Sequence, residues 1–215
     1  MSCCTTSGTG SFFSKSAGYY ARKFRRRGID RPQKILLRFL KERNLTSRSI
    51  LEVGCGVGGL HLTLLKEGAR SAFGSELSDR MIEKAKELAG EMGIRDRVDY
   101  MVGDIVEIRD SVPLSDIVIL DKVVCCYHDP ALLLSRAASK CTSLLAASYP
   151  RDAFLPRWGF RSQAFIGDML RWSFHAMYHE PLMLDSIIAS LGFQEVSADH
   201  TPIWQVKVYE KKKNN

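Results

Sequence analysis

The sequence lacks several features that mark common protein classes. Its six cysteines form no C-x-x-C pair, and no cysteine–histidine spacing is typical of a zinc site, so neither a bound metal nor a disulfide framework is predicted. No apolar run approaches the ~20 residues that a membrane-spanning helix needs. The N-terminus has no charged segment followed by an apolar one, which argues against a secretory signal. These absences favour a protein of the reducing cytoplasm with free thiols.

Acidic residues are scarce near the N-terminus, where positive charge is concentrated. Residues 15–34 contain eight basic residues and one acid, Asp30, and this window carries the whole formal net charge of +7. Such a segment favours contact with an anionic partner: nucleic acid, a phosphorylated or carboxylated substrate, or the surface of an acidic membrane. A solvated helix face without any partner is the alternative.

Two helices are predicted ahead of the first strand. Residues 1–10 are small and polar and predict a disordered tail. Aromatic and apolar residues then recur at helical spacing as far as Phe24, which predicts an amphipathic helix with a basic face that ends at Gly28. Arg31 and the proline after it open the second helix, because proline suits the first helical turn. Residues 1–30 are thus interpreted as a disordered tail followed by a basic lid helix.

A glycine-rich stretch, ILEVGCGVGG, predicts a strand, a tight turn and the start of a helix. Its glycines permit positive φ and leave no Cβ between the loop and a ligand at the helix N-terminus. Gly54, Gly56 and Gly59 fit the dinucleotide pattern G-x-G-x-x-G. Gly54, Gly56 and Gly58 equally fit G-x-G-x-G, preceded by Glu52. The loop alone therefore leaves the kind of nucleotide ligand open.

Strands that alternate with helices follow, and this order predicts a parallel, doubly wound sheet whose ligand lies at the carboxyl ends of the strands. Acids stand at three of these ends. Glu76 ends the second predicted strand, at a distance from the glycine loop where a carboxylate accepts hydrogen bonds from ribose hydroxyls. Asp104 follows the third strand, and Asp121 ends the fourth. Together with Gly54, these acids predict one cleft built from four separate segments.

In combination, these motifs resemble the class I S-adenosylmethionine-dependent methyltransferases. The resemblance rests on E-x-G-x-G-x-G, on Glu76, Asp104 and Asp121, and on a last helix followed by two closing strands. It implies an α/β fold: a doubly wound, mostly parallel, seven-stranded Rossmann-like sheet with an antiparallel C-terminal hairpin, N-terminal helices and a helical insertion after strand five. The predicted limits are a methyltransferase domain at residues 31–210, its insertion at 151–179 and a basic tail at 211–215.

The resemblance also implies a cofactor, S-adenosyl-L-methionine, with S-adenosyl-L-homocysteine as the product. The glycine loop would pass under its amino-acid end, and Glu76 would hold the ribose hydroxyls. Leu77 would lie beside the adenine, Asp104 would accept from the adenine amino group, and Ile105 would pack on the ring. The acid and lysine that end strand four would line the methionine end. The predicted cofactor-binding residues are Glu52, Gly54, Cys55, Gly56, Gly58, Glu76, Leu77, Asp104, Ile105, Asp121 and Lys122.

Three residues are predicted as catalytic candidates. Transfer to oxygen or nitrogen commonly needs a base close to the proton of the acceptor. Tyr127 and His128 follow the fourth strand and could act there; packing against the cofactor and an exposed loop position are the respective alternatives. Tyr20, on the N-terminal helix, is predicted to reach the active site as a lid residue, with Tyr19 as the alternative. His61, on the helix after the glycine loop, is predicted to be structural.

Aromatic and basic residues are dense in the predicted insertion at residues 151–179. They suit a cover over a flat or acidic organic acceptor, and together with the N-terminal helix they are expected to exclude water. His175 and His179 could supply a base from this side. A helical hairpin that is packed only for stability is the alternative interpretation.

Two stretches, FFSKSAGYY and DKVVCCYHDP, look most like the magnesium-protoporphyrin O-methyltransferase branch of the family. That branch commonly carries a histidine just before the tyrosine of the second stretch. Here Cys126 precedes Tyr127, and His128 follows it, which is a departure from the pattern.

The predicted function is methyl transfer to a small organic acceptor, planar or acidic, with oxygen as the expected target. An RNA or protein methyltransferase that uses the basic helix is one alternative, although no N-P-P-Y loop follows strand four. A cofactor-binding module without catalysis is the other. The basic helix also leaves peripheral membrane contact open.

Overall fold

The computed structural model of the protein describes residues 6–153 and 176–212. The helices in these ranges are α1 (Thr6–Arg27), α2 (Arg31–Glu42), α3 (Gly59–Lys66), α4 (Asp79–Glu91), α5 (Ile105–Ile108), α6 (Pro130–Ala138) and α7 (Pro181–Ser190). The strands are β1 (Ser49–Val53), β2 (Ser71–Glu76), β3 (Val98–Val102), β4 (Ser115–Asp121), β5 (Cys141–Pro150), β6 (Phe193–His200) and β7 (Trp204–Lys211).

The strands form one seven-stranded sheet in the order β3-β2-β1-β4-β5-β7-β6. Strands β1 to β5 pair in parallel, whereas β7 runs antiparallel to both β5 and β6. The chain winds outward from β1 to β3, returns to β4 and continues the other way, so the order reverses between β1 and β4. Ligands of such sheets bind at the carboxyl ends of the strands near this reversal. The predicted fold class is confirmed.

Helices cover both faces of the sheet, and this burial explains the apolar runs of the central strands. Successive residues of a strand point to opposite faces. Ile50 accordingly belongs to the core beneath α1 to α4, and Leu51 to the core beneath α5 to α7. Strand β4 contributes four consecutive residues with no exposed surface, from Ile117 to Leu120. The sheet is therefore a rigid base for the loops at its carboxyl edge.

Helix α1 begins at Thr6, whereas the sequence predicted a disordered tail as far as residue 10. The small residues that suggest disorder are needed for close packing. A Cβ on Gly10 would lie 2.9 Å from the carbonyl oxygen of Leu77, so only glycine allows this approach. Thr9 beside it is buried. The first turns of α1 thus pack on the loop that follows β2.

The rest of α1 packs against α4 through polar contacts as well as apolar ones. The hydroxyls of Ser14 and Ser78 lie 2.7 Å apart. Arg25 donates to both carboxylate oxygens of Glu91, at 2.8 and 2.6 Å, and lies 3.8 Å from Glu87. One residue of the basic segment is therefore part of the packing of this helix, rather than a free cation.

The C-terminal part differs from the prediction in its boundaries. The last helix was predicted from Asp185 and begins at Pro181, which occupies the first turn. Most of the predicted cover at residues 151–179, with its tryptophans and His175, lies outside the described residues. No helix in the described part of the chain is long and apolar enough to cross a membrane.

Candidate functional site

A cavity of about 470 Å³ opens at the carboxyl edge of the sheet, at the reversal between β1 and β4. It is lined by the loops after β1, β2, β3 and β4 and is covered by residues of α1 and α2. Ten of the eleven predicted cofactor-binding residues line it, Gly58 being the exception. Tyr20 and Tyr127 also line it, whereas His128 is exposed and does not. Most of the predicted site residues therefore lie in the cavity wall.

The glycine loop after β1 depends on backbone conformations that other residues rarely adopt. The φ angles of Gly54, Gly56 and Gly58 are 65°, 54° and 81°. A Cβ on Gly54 would lie 2.5 Å from Cγ2 of Val123, which belongs to the loop after β4. A Cβ on Gly56, in contrast, would meet no heavy atom within 4 Å. Gly54 therefore lets two loops pack together, and Gly56 leaves its side of the loop open.

The carboxylate of Glu76, at the end of β2, is bound to the backbone around it. One oxygen accepts from the Gly56 N–H at 2.9 Å, and the other accepts from the Ser78 N–H at 3.1 Å. Burial raises the pKa of Glu76, and the hydrogen bonds from Gly56 and Ser78 offset only part of that effect. The side chain is thus held in one orientation at the cavity wall and can accept further hydrogen bonds.

Asp104, at the end of β3, both caps α5 and holds a residue of the β4 loop. Its Oδ1 accepts from the Val106 N–H at 2.9 Å, as an N-cap residue does. Its Oδ2 accepts from the hydroxyl of Tyr127, also at 2.9 Å. Burial, together with this bond to a carboxylate, raises the pKa of Tyr127 well above its ordinary value. Tyr127 was predicted as a base, and this contact makes its hydroxyl a poor one.

We call the part of the cavity formed by Glu76, Leu77, Asp104 and Ile105 the β2–β3 end. Ile105 is buried and Asp104 is 6% exposed, while Leu77 lies half-buried next to α1. Two carboxylates and two apolar side chains therefore line this end.

The opposite part, which we call the β4 end, is formed by Tyr20, Asp30, Gln33, Asp121 and Lys122. The ammonium of Lys122 donates to Asp30 at 2.8 Å and to Asp121 at 3.0 Å. The amide of Gln33 donates to Asp121 at 2.8 Å. Burial lowers the pKa of Lys122, but the two aspartates outweigh it, so the pKa is raised overall. The start of α2 is thus tied to the end of β4 by charge.

The phenol of Tyr20 reaches the cavity from α1. Burial, followed by the neighbouring Tyr19, raises its pKa, and the positive charge of Lys122 acts in the opposite direction. His179 lies behind the β4 loop, where its Nε2 donates to the carbonyl oxygen of Tyr127 at 2.9 Å. Burial lowers the pKa of His179. Among these candidates, Tyr20 lines the cavity, and its role there stays a prediction.

Sequence reasoning missed several cavity residues and one buried contact. Among the missed lining residues are Thr9, Phe13, Lys23, Phe24, Gln33, Ser75 and Trp204. Phe13 and Phe24 belong to the helical stripe that predicted the lid helix, so that stripe was an available signal for them. Glu52 was predicted at the site, but its 2.6 Å contact with His61 was not. The two sulfur atoms of Cys125 and Cys126 are 4.0 Å apart and form no disulfide.

Comparison with known proteins agrees with this geometry. Residues 50–147 match the family model described as a methyltransferase domain. The chain is 37% identical to a probable chloroplastic tocopherol O-methyltransferase of Oryza sativa subsp. japonica over 60 residues. This stretch is 28% of this chain and 17% of that protein. It is 28% identical to the ribosomal protein L11 methyltransferase of Alteromonas mediterranea over 129 residues. The aligned part is 56% of this chain and 44% of that protein. The chain spans less than half the length of either relative.

The fold is also similar to that of a solved structure over almost the whole chain. The crystal structure of magnesium protoporphyrin IX methyltransferase from Synechocystis PCC 6803 with bound SAH superimposes with a TM-score of 0.74. The match covers 95% of this chain and 98% of that chain at 20% identity, so the likeness is one of fold. The matching methyltransferase domain, the strand order and the glycine loop agree with the predicted resemblance to the class I S-adenosylmethionine-dependent methyltransferases.

Proposed function

We propose that the protein transfers the methyl group of S-adenosylmethionine to an oxygen of a small acidic acceptor, with a carboxylate as the reacting group. The observation that carries the proposal is the convergence of the glycine loop, Glu76 and Asp104 in one cavity whose other end carries the Lys122 ammonium. The β2–β3 end suits an adenosine. At the β4 end Asp30 and Asp121 balance the charge of Lys122, and Lys23 adds a further positive charge for an anionic acceptor.

The described residues fit this cofactor in size and in hydrogen-bonding capacity. One oxygen of Glu76 accepts from the Gly56 N–H and the other from the Ser78 N–H, and a carboxylate oxygen has a second lone pair that a ribose hydroxyl can use. Asp104 keeps the same capacity for the adenine amino group. Ile105 and Leu77 offer apolar contact to the ring. Gly56, with no atom near its missing Cβ, leaves room for the cofactor to pass over the loop.

The bound cofactor would supply a methyl group that is already activated by its sulfonium charge. The task of the chain is then to align the acceptor with that group and to exclude water. Phe13 and Phe24 of α1 line the cavity and cover it with apolar surface. Lys23, one turn from Tyr20, lines the same wall and adds positive charge. These residues orient an anionic acceptor without taking part in the bond that forms.

The titration behaviour of the cavity supports a carboxylate acceptor. Removal of a proton from an alcohol or an amine needs a base whose pKa is close to the working pH. The pKa values of Tyr20 and Tyr127 are both raised, by burial first, so neither phenol is ionised near neutral pH. The pKa of Lys122 is raised too, so its side chain remains an ammonium. A carboxylic acid is already ionised at this pH, and its methylation needs no base at all.

A ligand-stabilisation experiment tests the cofactor half of the proposal. S-adenosylmethionine and S-adenosylhomocysteine are each expected to raise the melting temperature, because a ligand at 100 times its Kd stabilises the folded state by about 2.7 kcal/mol. NAD is expected to have no effect. Glu76→Ala should abolish the response, whereas Glu83→Ala, an exposed position on α4, should retain it. A wild type that ignores both sulfur ligands at millimolar concentration would refute the assignment.

An acceptor screen tests the other half. Planar carboxylic acids are expected to yield methyl esters when incubated with enzyme and labelled cofactor, and each product should be cleaved by mild alkali as esters are. Turnover on alcohols or amines, with none on carboxylates, would refute the choice of acceptor while leaving the cofactor assignment intact.

A second function has one observation in its favour. Lys15, Arg22, Arg26 and Arg27 on α1 are exposed, so they are accessible to an anionic macromolecule. If the acceptor were an RNA, affinity should fall steeply with salt and should weaken when the three arginines are replaced together. Salt-insensitive or absent binding in an anisotropy titration would remove this candidate.

A further inference from the structure

A layer of buried polar side chains lies directly beneath the glycine loop, and the methyl-transfer chemistry described above does not use it. Glu52 on β1 is 2% exposed and His61 on α3 is 0% exposed. The Nδ1–H of His61 donates to Oε2 of Glu52 at 2.6 Å, and the backbone N–H of His61 reaches the same oxygen at 3.3 Å. On the far side of the ring, Nε2 lies 3.1 Å from the hydroxyl of Tyr100.

This arrangement is costly unless every member has a partner, because buried charged and polar groups lose their hydration. Burial raises the pKa of Tyr100 far above its ordinary value, so its hydroxyl keeps its proton, which lies within reach of Nε2 at 3.1 Å and of the carbonyl oxygen of Ala85 at 3.4 Å. Because a carboxylate oxygen only accepts, the Nδ1 proton is directed at Glu52. Each ring nitrogen of His61 thus has one assigned partner, which fixes both the rotation and the tautomer of the ring.

Only one oxygen of Glu52 is used by this layer. Within the part of the chain that the structure describes, the hydrogen bonds to Glu52 all go to Oε2, and Oε1 receives none. Among the described residues, the only fully enclosed side-chain oxygen without a partner is that of Ser75. Oε1 of Glu52 has no partner either, so it is not fully enclosed, and Glu52 lines the cavity. The free oxygen therefore faces the cavity from below the loop.

His61 also supports the loop itself. A Cβ on Gly58 would lie 2.8 Å from both Cε1 and Nε2 of the ring. Gly58 has a φ of 81° and immediately precedes the first turn of α3. The same imidazole therefore packs under the loop backbone and orients the carboxylate below it.

The order of the strands says which part of a ligand Glu52 would meet. The sheet order places β3, β2, β1 and β4 side by side, and their ends carry Asp104, Glu76, Glu52 and Asp121 in that sequence. If the base contacts Asp104 and the ribose contacts Glu76, the group attached beyond the ribose lies over β1. In the proposed cofactor this group is the amino acid, whose ammonium is the natural donor to a carboxylate.

We propose that His61 is a positioning residue that holds the free oxygen of Glu52 toward the ammonium group of the cofactor's amino-acid end. The proposal rests on the proposed function, since it assumes that the cavity binds S-adenosylmethionine. It adds a specificity element: His61 acts on recognition of the amino acid and not on recognition of the nucleoside.

Two ligands and two replacements separate these effects. S-adenosylhomocysteine carries the amino acid, whereas 5′-methylthioadenosine has the same nucleoside and sulfur without it. In His61→Asn the side-chain amide takes the place of Nδ1 and can still donate to Glu52. In His61→Gln the amide takes the place of Nε2, so the contact with Tyr100 is kept and the contact with Glu52 is lost.

Isothermal titration calorimetry of the full chain should give a selective pattern. His61→Gln is expected to raise the Kd of S-adenosylhomocysteine about tenfold, as loss of a charge-assisted hydrogen bond does, and that of 5′-methylthioadenosine less than about twofold. His61→Asn is expected to stay within about threefold of wild type for both ligands. Glu52→Gln, which keeps the shape and removes the charge, should repeat the pattern of His61→Gln and serves if that variant does not fold.

The alternatives have different signatures. Equal weakening of both ligands in His61→Gln and Glu52→Gln would mean that the layer only supports the loop, and the positioning role would be wrong. Unchanged affinity for both ligands would overturn it as well. Failure of wild type to bind either ligand would instead overturn the proposed cofactor, and this inference with it.

Discussion

The two ends of the cavity are built in different ways. The β2–β3 end is made by residues that directly follow consecutive strands, and Glu76 and Asp104 are held there mainly by nearby backbone N–H groups. The β4 end is made by side chains from α1, α2 and β4 that pair with each other, such as Lys122 with Asp30. One end is thus set by strand geometry, and the other by long-range ion pairs. The first suits a constant ligand and the second a ligand that differs between enzymes.

Replacement of the residue that joins the two ends should have the largest effect. In Gly54→Ala, the methyl group would clash with Val123 and φ is unfavourable, so the free energy of unfolding should fall by about 2 kcal/mol. Loop displacement should also raise the Kd of S-adenosylhomocysteine by more than about tenfold. Chemical denaturation and calorimetry measure the two effects.

Gly90→Ala is the matched control for that variant. Gly90 lies near the end of α4, and a Cβ there would meet nothing within 4 Å, so stability should be equal or slightly higher. If Gly54→Ala behaved like Gly90→Ala, the contact between the β1 and β4 loops would not matter to the site.

The β2–β3 end should respond to pH. Burial raises the pKa of Glu76, and its ionised form accepts from ribose hydroxyls with both oxygens and more strongly than the protonated form does. Protonation therefore competes with binding. Affinity for S-adenosylhomocysteine should be constant near neutrality and fall by about tenfold per pH unit below that raised pKa.

Calorimetry at a series of pH values checks this behaviour, with circular dichroism to verify folding. Glu76→Gln should bind weakly and without this pH dependence. An affinity that is flat down to pH 4.5 in wild type would contradict the role of Glu76.

Paired phenol replacements should distinguish the two ends with a smaller effect. Tyr127→Phe removes the donor to Asp104 and leaves that buried carboxylate with one partner fewer, so the Kd of S-adenosylhomocysteine should rise by about threefold to fivefold. Tyr20→Phe should leave this Kd unchanged and affect only the KM of the acceptor. The reverse result would mean that the assignment of the two ends is wrong.

The smallest effect is expected where α1 meets α4 at the surface. Arg25→Ala breaks the contact with Glu91, but the two side chains are 37% and 50% exposed, so solvent screens the pair. The melting temperature should fall by about 2 °C or less, and Arg22→Ala, at a nearby exposed position, should change it even less. If Arg25→Ala failed to fold, this pair would contribute more to stability than its exposure predicts.

The contrast between the ends also explains how far the sequence could predict the molecule. The sheet, the glycine loop and the acids at Glu76 and Asp104 leave local signals, because hydrophobic runs and turn residues mark each strand end. These predictions of the fold were confirmed. The roles assigned to Glu76 and Asp104 remain predictions, and the two residues lie in the cavity wall, where those roles would require them.

Contacts between distant segments left no such signal. Nothing local indicates that Lys122 pairs with Asp30, 92 positions earlier, or that the hydroxyl of Tyr127 points to Asp104. The early start of α1 was missed because small residues favour disorder in isolation and close packing in context, as at Gly10. A pattern in the sequence indicates the local preference, and the packing partner decides whether the segment is disordered or closely packed.

The bond between Asp104 and Tyr127 has a thermodynamic consequence. One carboxylate holds the loop after β4 and, in the proposed cofactor site, would also accept from the adenine amino group, so cofactor binding would alter the equilibrium of that loop. Linkage requires the reverse effect to be of the same size: an acceptor that favours one position of the loop must change the affinity for the cofactor by the same factor. A single hydrogen bond would in this way make the two substrates cooperative.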